Sequence, residues 1–324
     1  MLKILAPARI HMTLIDLGEA GYRRNGGIGF CINLPGAEFD FAKHTTVDIS
    51  ELKNAGFSQH EILELTQKIT KILVSNGSYQ GIKLTKCKIS NRHIGVGTGT
   101  TTALACIEAA AVLNEIQIDI KSLIKSSGRG GTSGIGVHTY FNGGFLLDAG
   151  RPFDAAPILP SDDIASPTSV PLVLSNIDMP AWPIGLFFPP DCSAVSRNTE
   201  STLFKNALPL GDEDVSKIAY HSVFGALTAV ADSNFQSFCI SVNALQSCAW
   251  KQHEINLHAP LVPFYMESLK ELGCDAVGMS SVGPLIYFFA SDFTNVASRI
   301  SEKYPDAHVI KTMPNNTGRT MSHV

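Results

Sequence analysis

Apolar positions along this chain recur with two different periods, and the switches between them mark out its elements. Residues 10–15 and 28–33 alternate apolar with polar positions and predict two strands, joined by a Gly- and Arg-containing loop at 18–27. Residues 37–41 and 45–50 predict a further hairpin. From Ser58 the period changes: Ile62, Leu65, Ile69, Ile72 and Leu73 recur at helical spacing. Ser58 and Glu61 have the spacing of a capping box, and Gly77 stops that helix. Residues 82–89 alternate again, with lysines on the solvent side, and lead into a helix from about 100 to 113. Residues 137–141 and 144–148 predict a hairpin around Asn142-Gly143.

The stretch 152–171 is rich in Pro, Asp and Ser, which predicts a linker or an active-site cover. It separates an expected N-terminal domain, 1–160, from an expected C-terminal domain, 161–324. The second half predicts strands at 171–175 and 184–188 and helices near 212–231, 235–247 and 260–272. Strands at 276–280 and 285–290, a helix at 293–304 and a strand at 307–312 follow. This order points to an α+β protein with helices on one face of an antiparallel sheet.

Composition narrows the class. The chain has 324 residues, 44% hydrophobic and 17% charged, enough for a sizeable core and two domains. A net charge of −4 lacks the basic excess of a nucleic-acid binder. The seven cysteines are odd in number and never in CxxC spacing, so they predict reduced thiols rather than disulfides or a zinc site. The N-terminal apolar run is too short for a signal peptide or membrane span. A cytoplasmic protein with no membrane or nucleic-acid partner is the expectation.

The chemistry concentrates in glycine- and hydroxyl-rich turns. Gly95-Val96-Gly97-Thr98-Gly99-Thr100-Thr101-Thr102 runs into an alanine-rich helix, whose first amides and dipole favour a phosphate. Gly128-Arg129-Gly130-Gly131-Thr132-Ser133-Gly134-Ile135-Gly136 adds a guanidinium and two hydroxyls. Two such loops suit a heavily phosphorylated small molecule. The first spells neither GxGxxG nor GxxxxGK[ST], and no acidic residue follows where a nucleotide ribose requires one. Period two puts Arg9, His11 and Thr13 on one strand face; Arg24, Gly26 and Gly27 end the loop that follows. A third glycine turn at 278–284, with Ser280 and Ser281, is placed to close a site from the second domain.

In order, these segments resemble the GHMP superfamily of small-molecule kinases. His93-Ile94-Gly95-Val96-Gly97-Thr98-Gly99-Thr100-Thr101-Thr102-Ala103-Leu104-Ala105 is similar to its phosphate loop, and residues 278–284 to its C-terminal glycine motif. One branch, β-ribofuranosylaminobenzene 5′-phosphate synthase, is closer. Residues 9–17, Gly26-Gly27-Ile28-Gly29, the 128–136 loop, Gly143-Gly144-Phe145 and 279–284 all resemble it, and the likeness spans residues 5 to about 290. Gly136 stands where several GHMP kinases carry a catalytic aspartate. Tyr22-Arg23-Arg24-Asn25 and Val282 depart from the branch, which more often has an acidic residue before Gly26 and an aromatic at 282.

The resemblance implies a GHMP-kinase-like two-domain fold, with an N-terminal domain like ribosomal protein S5 domain 2 and a ferredoxin-like α/β sandwich after it. It implies a homodimer that joins phosphoribosyl pyrophosphate to 4-hydroxybenzoate or 4-aminobenzoate. That reaction forms a C–C bond and releases CO2 and pyrophosphate in methanopterin biosynthesis, with Mg2+ and no organic cofactor. On that reading Gly95, Gly97, Thr98, Gly99, Thr100 and Thr101 meet the pyrophosphate. Arg129, Gly130, Gly131, Thr132 and Ser133 meet the 5′-phosphate or the second half of the pyrophosphate. Arg9, His11, Arg24, Gly26, Gly27, Ser280 and Ser281 surround the aromatic acid, with His11 the proton acceptor. Asp16 and Asp148 are the nearest carboxylates for His11 or Mg2+, and Glu200 borders the site. An ATP-dependent kinase of a small alcohol and a non-catalytic binding protein are the alternatives.

Overall fold

The computed structural model describes residues 1–323 apart from 20, 79, 90–93, 155–157, 161–168 and 194. Strand β1 (Leu2–Asp16) pairs antiparallel with β2 (Arg23–His44), with bulges between Ala6 and Ala8 and between His11 and Thr13. The stretches 28–33 and 37–41 are therefore one strand. Residues 45–50 form no hairpin with it. Asp48 accepts the Ser50 amide and hydroxyl, a local bond that competes with a ladder, and Ile49 and Leu52 enter the core through a short 3-10 turn.

Helix α1 (Gln59–Ser75) carries the reciprocal Ser58–Glu61 cap and buries all five residues of its stripe. Strand β3 (Gly81–Lys88) takes the far half of β2. Helix α2 (Thr98–Leu113) is buried almost all round, which its alanines permit by letting neighbours approach. Helix α3 (Ile120–Ser127) ends at Gly128, which is left-handed (φ +70°), and α4 (Ile135–Asn142) follows.

Helix α4 corrects the hairpin expected at 137–141. Ile135, Val137, Thr139, Tyr140 and Phe141 are all buried, and so short an apolar run does not reveal its period. Asn142-Gly143 ends a helix rather than turning a hairpin, with the Gly143 amide donating to Thr139 O. Strands β4 (Phe145–Asp148), β5 (Arg151–Pro152) and β6 (Val173–Ile177) complete this part of the sheet.

Beyond it lie β7 (Ile184–Phe188), α5 (Arg197–Ala207), α6 (Asp212–Tyr220), a π-helical stretch His221–Leu227 and α7 (Thr228–Ala231). Then come α8 (Phe235–Gln246), α9 (Ala249–Asn256), α10 (Leu261–Glu271), β8 (Ala276–Met279), β9 (Ile286–Phe289), α11 (Phe293–Lys303), β10 (His308–Thr312) and β11 (Thr320–His323). Among the described residues, one sheet has the backbone order β11-β1-β2-β4-β6, with β3 and β5 also on β2. The other has the order β10-β7-β9-β8. All pairings between named strands are antiparallel, as an α+β fold requires.

The two sheets share a core. Phe30 and Phe145 of the first sheet meet Tyr287 and Phe289 of the second and Phe238 of α8. Strands β6 and β11 lie beyond residue 160 yet join the first sheet, so the boundary expected at 160/161 does not coincide with a sheet edge. Arg319, just before β11, pairs with Glu108 of α2, which also accepts the Tyr140 hydroxyl. That fixes the last strand to the buried helix.

Candidate active site

The first glycine loop is held from both domains. Gly97 is left-handed (φ +81°) and precedes Thr98 with no side-chain cap; the Thr101 amide donates to Gly97 O. By helix geometry the amides before it have no intrahelical acceptor. On the C-terminal side the Ser280 hydroxyl donates to Gly95 O at 2.6 Å, and the Leu285 amide donates to Ile94 O. The same turn reaches β1: the Ser281 amide donates to His11 O, and the His11 amide donates to Ser280 Oγ at 3.1 Å. Arg9 also donates to Gly95 O. A Cβ on Gly95 (φ +105°) would stand 2.5 Å from Ser280 O, so only glycine fits.

The second loop meets the first. Arg129 Nη2 lies 3.5 Å from where a Gly99 Cβ would be, and Thr100 Cγ2 lies 3.4 Å from where a Gly136 Cβ would be. Both loops thus converge on the start of α2. Gly27 lies under this junction, since a Cβ there would meet Ser133 Oγ at 2.8 Å and His11 Nε2 at 3.1 Å.

Ser133 Oγ links His11 Nε2 at 3.1 Å to Asp148 Oδ2 at 3.3 Å. Asp148 also accepts the Gly134 amide at 2.9 Å and the Gly150 amide at 2.8 Å. With its proton given to Asp148, the Ser133 hydroxyl accepts from the His11 ring, so Nε2 carries hydrogen and Nδ1 keeps its lone pair. Nδ1 has no hydrogen-bond partner among the described residues. Burial, then Arg9 and Lys251, hold the His11 pKa well below its ordinary value, so the ring is neutral. Burial raises Asp148 to about 7, against the pull of its hydrogen bonds. Burial lowers Arg9 to about 10, opposed by Glu200 and Glu254.

These groups border one cavity, open to solvent on one side. Arg9, His11, Thr100, Gly130, Thr132, Ser133, Glu200 and Ser281 line it, together with Gly136. Ser280 is buried behind it in the clamp, and Gly131 O accepts from Asn25. Thr98 and Thr101 line a smaller cleft behind the loop with Pro35 and Ala37.

Asp16 and Arg24 do not line the cavity. Asn25 (φ +68°) and Gly26 (φ +82°) are both left-handed, which breaks the strand's alternation just before Gly27. Arg24 instead packs over Phe153 at 4.8 Å, and Asp16, raised by burial, accepts the Gly18 amide. Gly26 backs onto Asp148 O. His93 and much of the expected cover at 152–171 lie outside the described residues.

One cavity residue had no sequence signal. Glu254 lines the wall from α9, in a stretch for which the sequence predicts no element; Lys251 and Glu254 are 0% and 2% exposed.

No protein-family model matches the sequence. A β-ribofuranosylphenol 5′-phosphate synthase of Methanothermobacter thermautotrophicus is 31% identical over 98% of both chains. One of Methanocaldococcus jannaschii is 29% identical over 97% of this chain and 98% of its own. Among solved structures, homoserine kinase from Cytophaga hutchinsonii matches with a TM-score of 0.69 at 14% identity, covering 99% of this chain and 97% of its own. Mevalonate pyrophosphate decarboxylase from Streptococcus pyogenes matches at 0.67 and 13%, over 98% and 97%. These neighbours establish a GHMP-like two-domain fold.

Proposed function

The chain belongs to the β-ribofuranosylphenol 5′-phosphate synthase family, an enzyme family of methanopterin biosynthesis, and on that premise we propose how its cavity works. The substrates are phosphoribosyl pyrophosphate and 4-hydroxybenzoate, or 4-aminobenzoate. The products are the C-ribosyl arene phosphate, CO2 and pyrophosphate.

The donor's diphosphate lies against the amides opening α2, with Arg129 and Thr100 beside it, where the helix dipole favours the charge that grows as it leaves. Thr132 and Ser133 receive the 5′-phosphate. The ribose C1–O bond breaks with its electron pair going to pyrophosphate. The ring carbon bearing the carboxylate supplies a pair to C1, and the C–CO2 pair then returns to the ring as CO2 departs. Neutral His11, too weak a base at its lowered pKa to take the phenol proton outright, accepts a hydrogen bond from the phenol instead, its tautomer fixed by Ser133 and Asp148. Arg9 is the cation that orients the acceptor carboxylate.

Among the described residues no cluster of three His, Cys, Asp or Glu forms a metal cage. We propose Mg2+ as a companion of the diphosphate, whose oxygens are the ligands it prefers. A cytoplasmic homodimer belongs to the same proposal; its support is family likeness and seven cysteines that are all free thiols.

The observation that carries this reading is the convergence of both glycine loops and His11 on one cavity. The test supplies donor and 4-hydroxybenzoate together and measures CO2 and pyrophosphate. Equal amounts of both are expected. ADP release from ATP and an alcohol, with no CO2, would replace this reading with a kinase.

A further inference from the structure

Helix α9 carries an ion pair that the reaction above leaves unused. Lys251 and Glu254, one turn apart, are both buried, with Nζ and Oε2 2.6 Å from each other. Lys251 also donates to Met279 O at 2.8 Å and Ser281 O at 3.2 Å. Those two carbonyls belong to the turn that clamps Gly95 and His11. Ser281 is left-handed there (φ +52°), a conformation that needs such holding.

A buried pair of this kind adds little to stability over apolar residues of the same size, so stability alone does not account for it. Its orientation does. Glu254 lines the cavity and Lys251 does not, so the pair presents its negative end to the substrates. The same cavity is lined by Arg9, neutral His11 and residues of the two glycine loops, all suited to anions. The second carboxylate on the wall, Glu200, is on α5 and only partly buried. Positive charge first arises at the ribose C1 and its ring oxygen, as the C1–O pair leaves with pyrophosphate.

Resting on the function proposed above, we propose that Glu254 is the carboxylate facing the sugar carbon as it becomes cationic, and that Lys251 is the positioning residue that fixes it and ties it to the Ser280–Ser281 turn. A fixed charge in a dry wall needs no reorganisation when the cation forms, and it acts on the transition state more than on the bound donor.

Glu254→Gln, Lys251→Met and the double variant test this against active wild type. Glu254→Gln is expected to lose roughly 100-fold in kcat while keeping the rise in Tm given by phosphoribosyl pyrophosphate. The double variant removes both charges. It should regain the stability lost by either single change yet stay as slow as Glu254→Gln. Should Glu254→Gln fail to fold, the double variant is read in its place. A double variant that regains the wild-type rate, a Glu254→Gln kcat within about threefold of wild type, or loss of the donor-induced Tm rise overturns the inference. Wild type that releases neither CO2 nor pyrophosphate overturns the function itself, which is a distinguishable result.

Discussion

The two sides of the cavity are made of different materials. The N-terminal side presents main chain: amides at the start of α2, the 128–136 loop and glycines whose missing Cβ atoms let these segments touch. The C-terminal side presents charged side chains on regular helices, Glu200 from α5 and Glu254 from α9. A wall of amides binds anions by where the backbone runs, so sequence changes perturb it through shape. A wall of carboxylates acts through charge, and one atom's change of element removes it. The two walls should therefore fail in different ways.

The sharpest test of the first wall is steric. Gly95→Ala forces a methyl into Ser280 O at a left-handed position, and we predict a loss of about 3 kcal/mol, read as a lower Tm without donor. A neutral result would mean that the clamp yields, and the contrast between rigid backbone and adjustable side chains would collapse.

Arg129→Ala comes next. It removes the guanidinium beside Gly99 and is predicted to weaken the donor by roughly 10- to 100-fold while barely changing the KM of the aromatic acid. Equal losses for both substrates would move Arg129 away from the phosphates.

The smallest effect is a pH effect, and it concerns the link between loop and strand. The Asp148 pKa is raised to about 7, so in the native state it holds a proton that the unfolded chain releases near its ordinary value of 3.8. Its contribution to stability is therefore present below that ordinary value and is lost as pH rises toward 7. The charged form is the one that accepts the Ser133 proton, so kcat/KM should climb through about pH 7. Asp148→Asn should erase that limb with a several-fold loss of rate at pH 8. A limb that persists in Asp148→Asn would assign it to another group.

The same division explains what could be read beforehand. Glycine loops leave a trace in sequence because few other residues take their place, and 95–102, 128–136 and 278–284 all reach the cavity or its clamp. The five-residue stripe of α1 is equally legible, since it repeats one period over its whole length. The pair on α9 left no trace: a lysine and a glutamate three apart look the same on a solvated face as in a dry wall. The 137–141 segment failed for another reason, because five residues buried on nearly every side carry no amphipathic signal. Arg24 lies off the cavity because the two left-handed residues that follow it, Asn25 and Gly26, turn the backbone in a way that spacing along the chain does not show.

Leu2 of β1 lies opposite His323 of β11, so the opening strand completes one edge only with residues from the far end of the described chain. During synthesis that edge stays bare until β11 has emerged from the ribosome, exposed to any passing strand. The Arg319–Glu108 pair then serves as the latch that holds β11 against the buried helix.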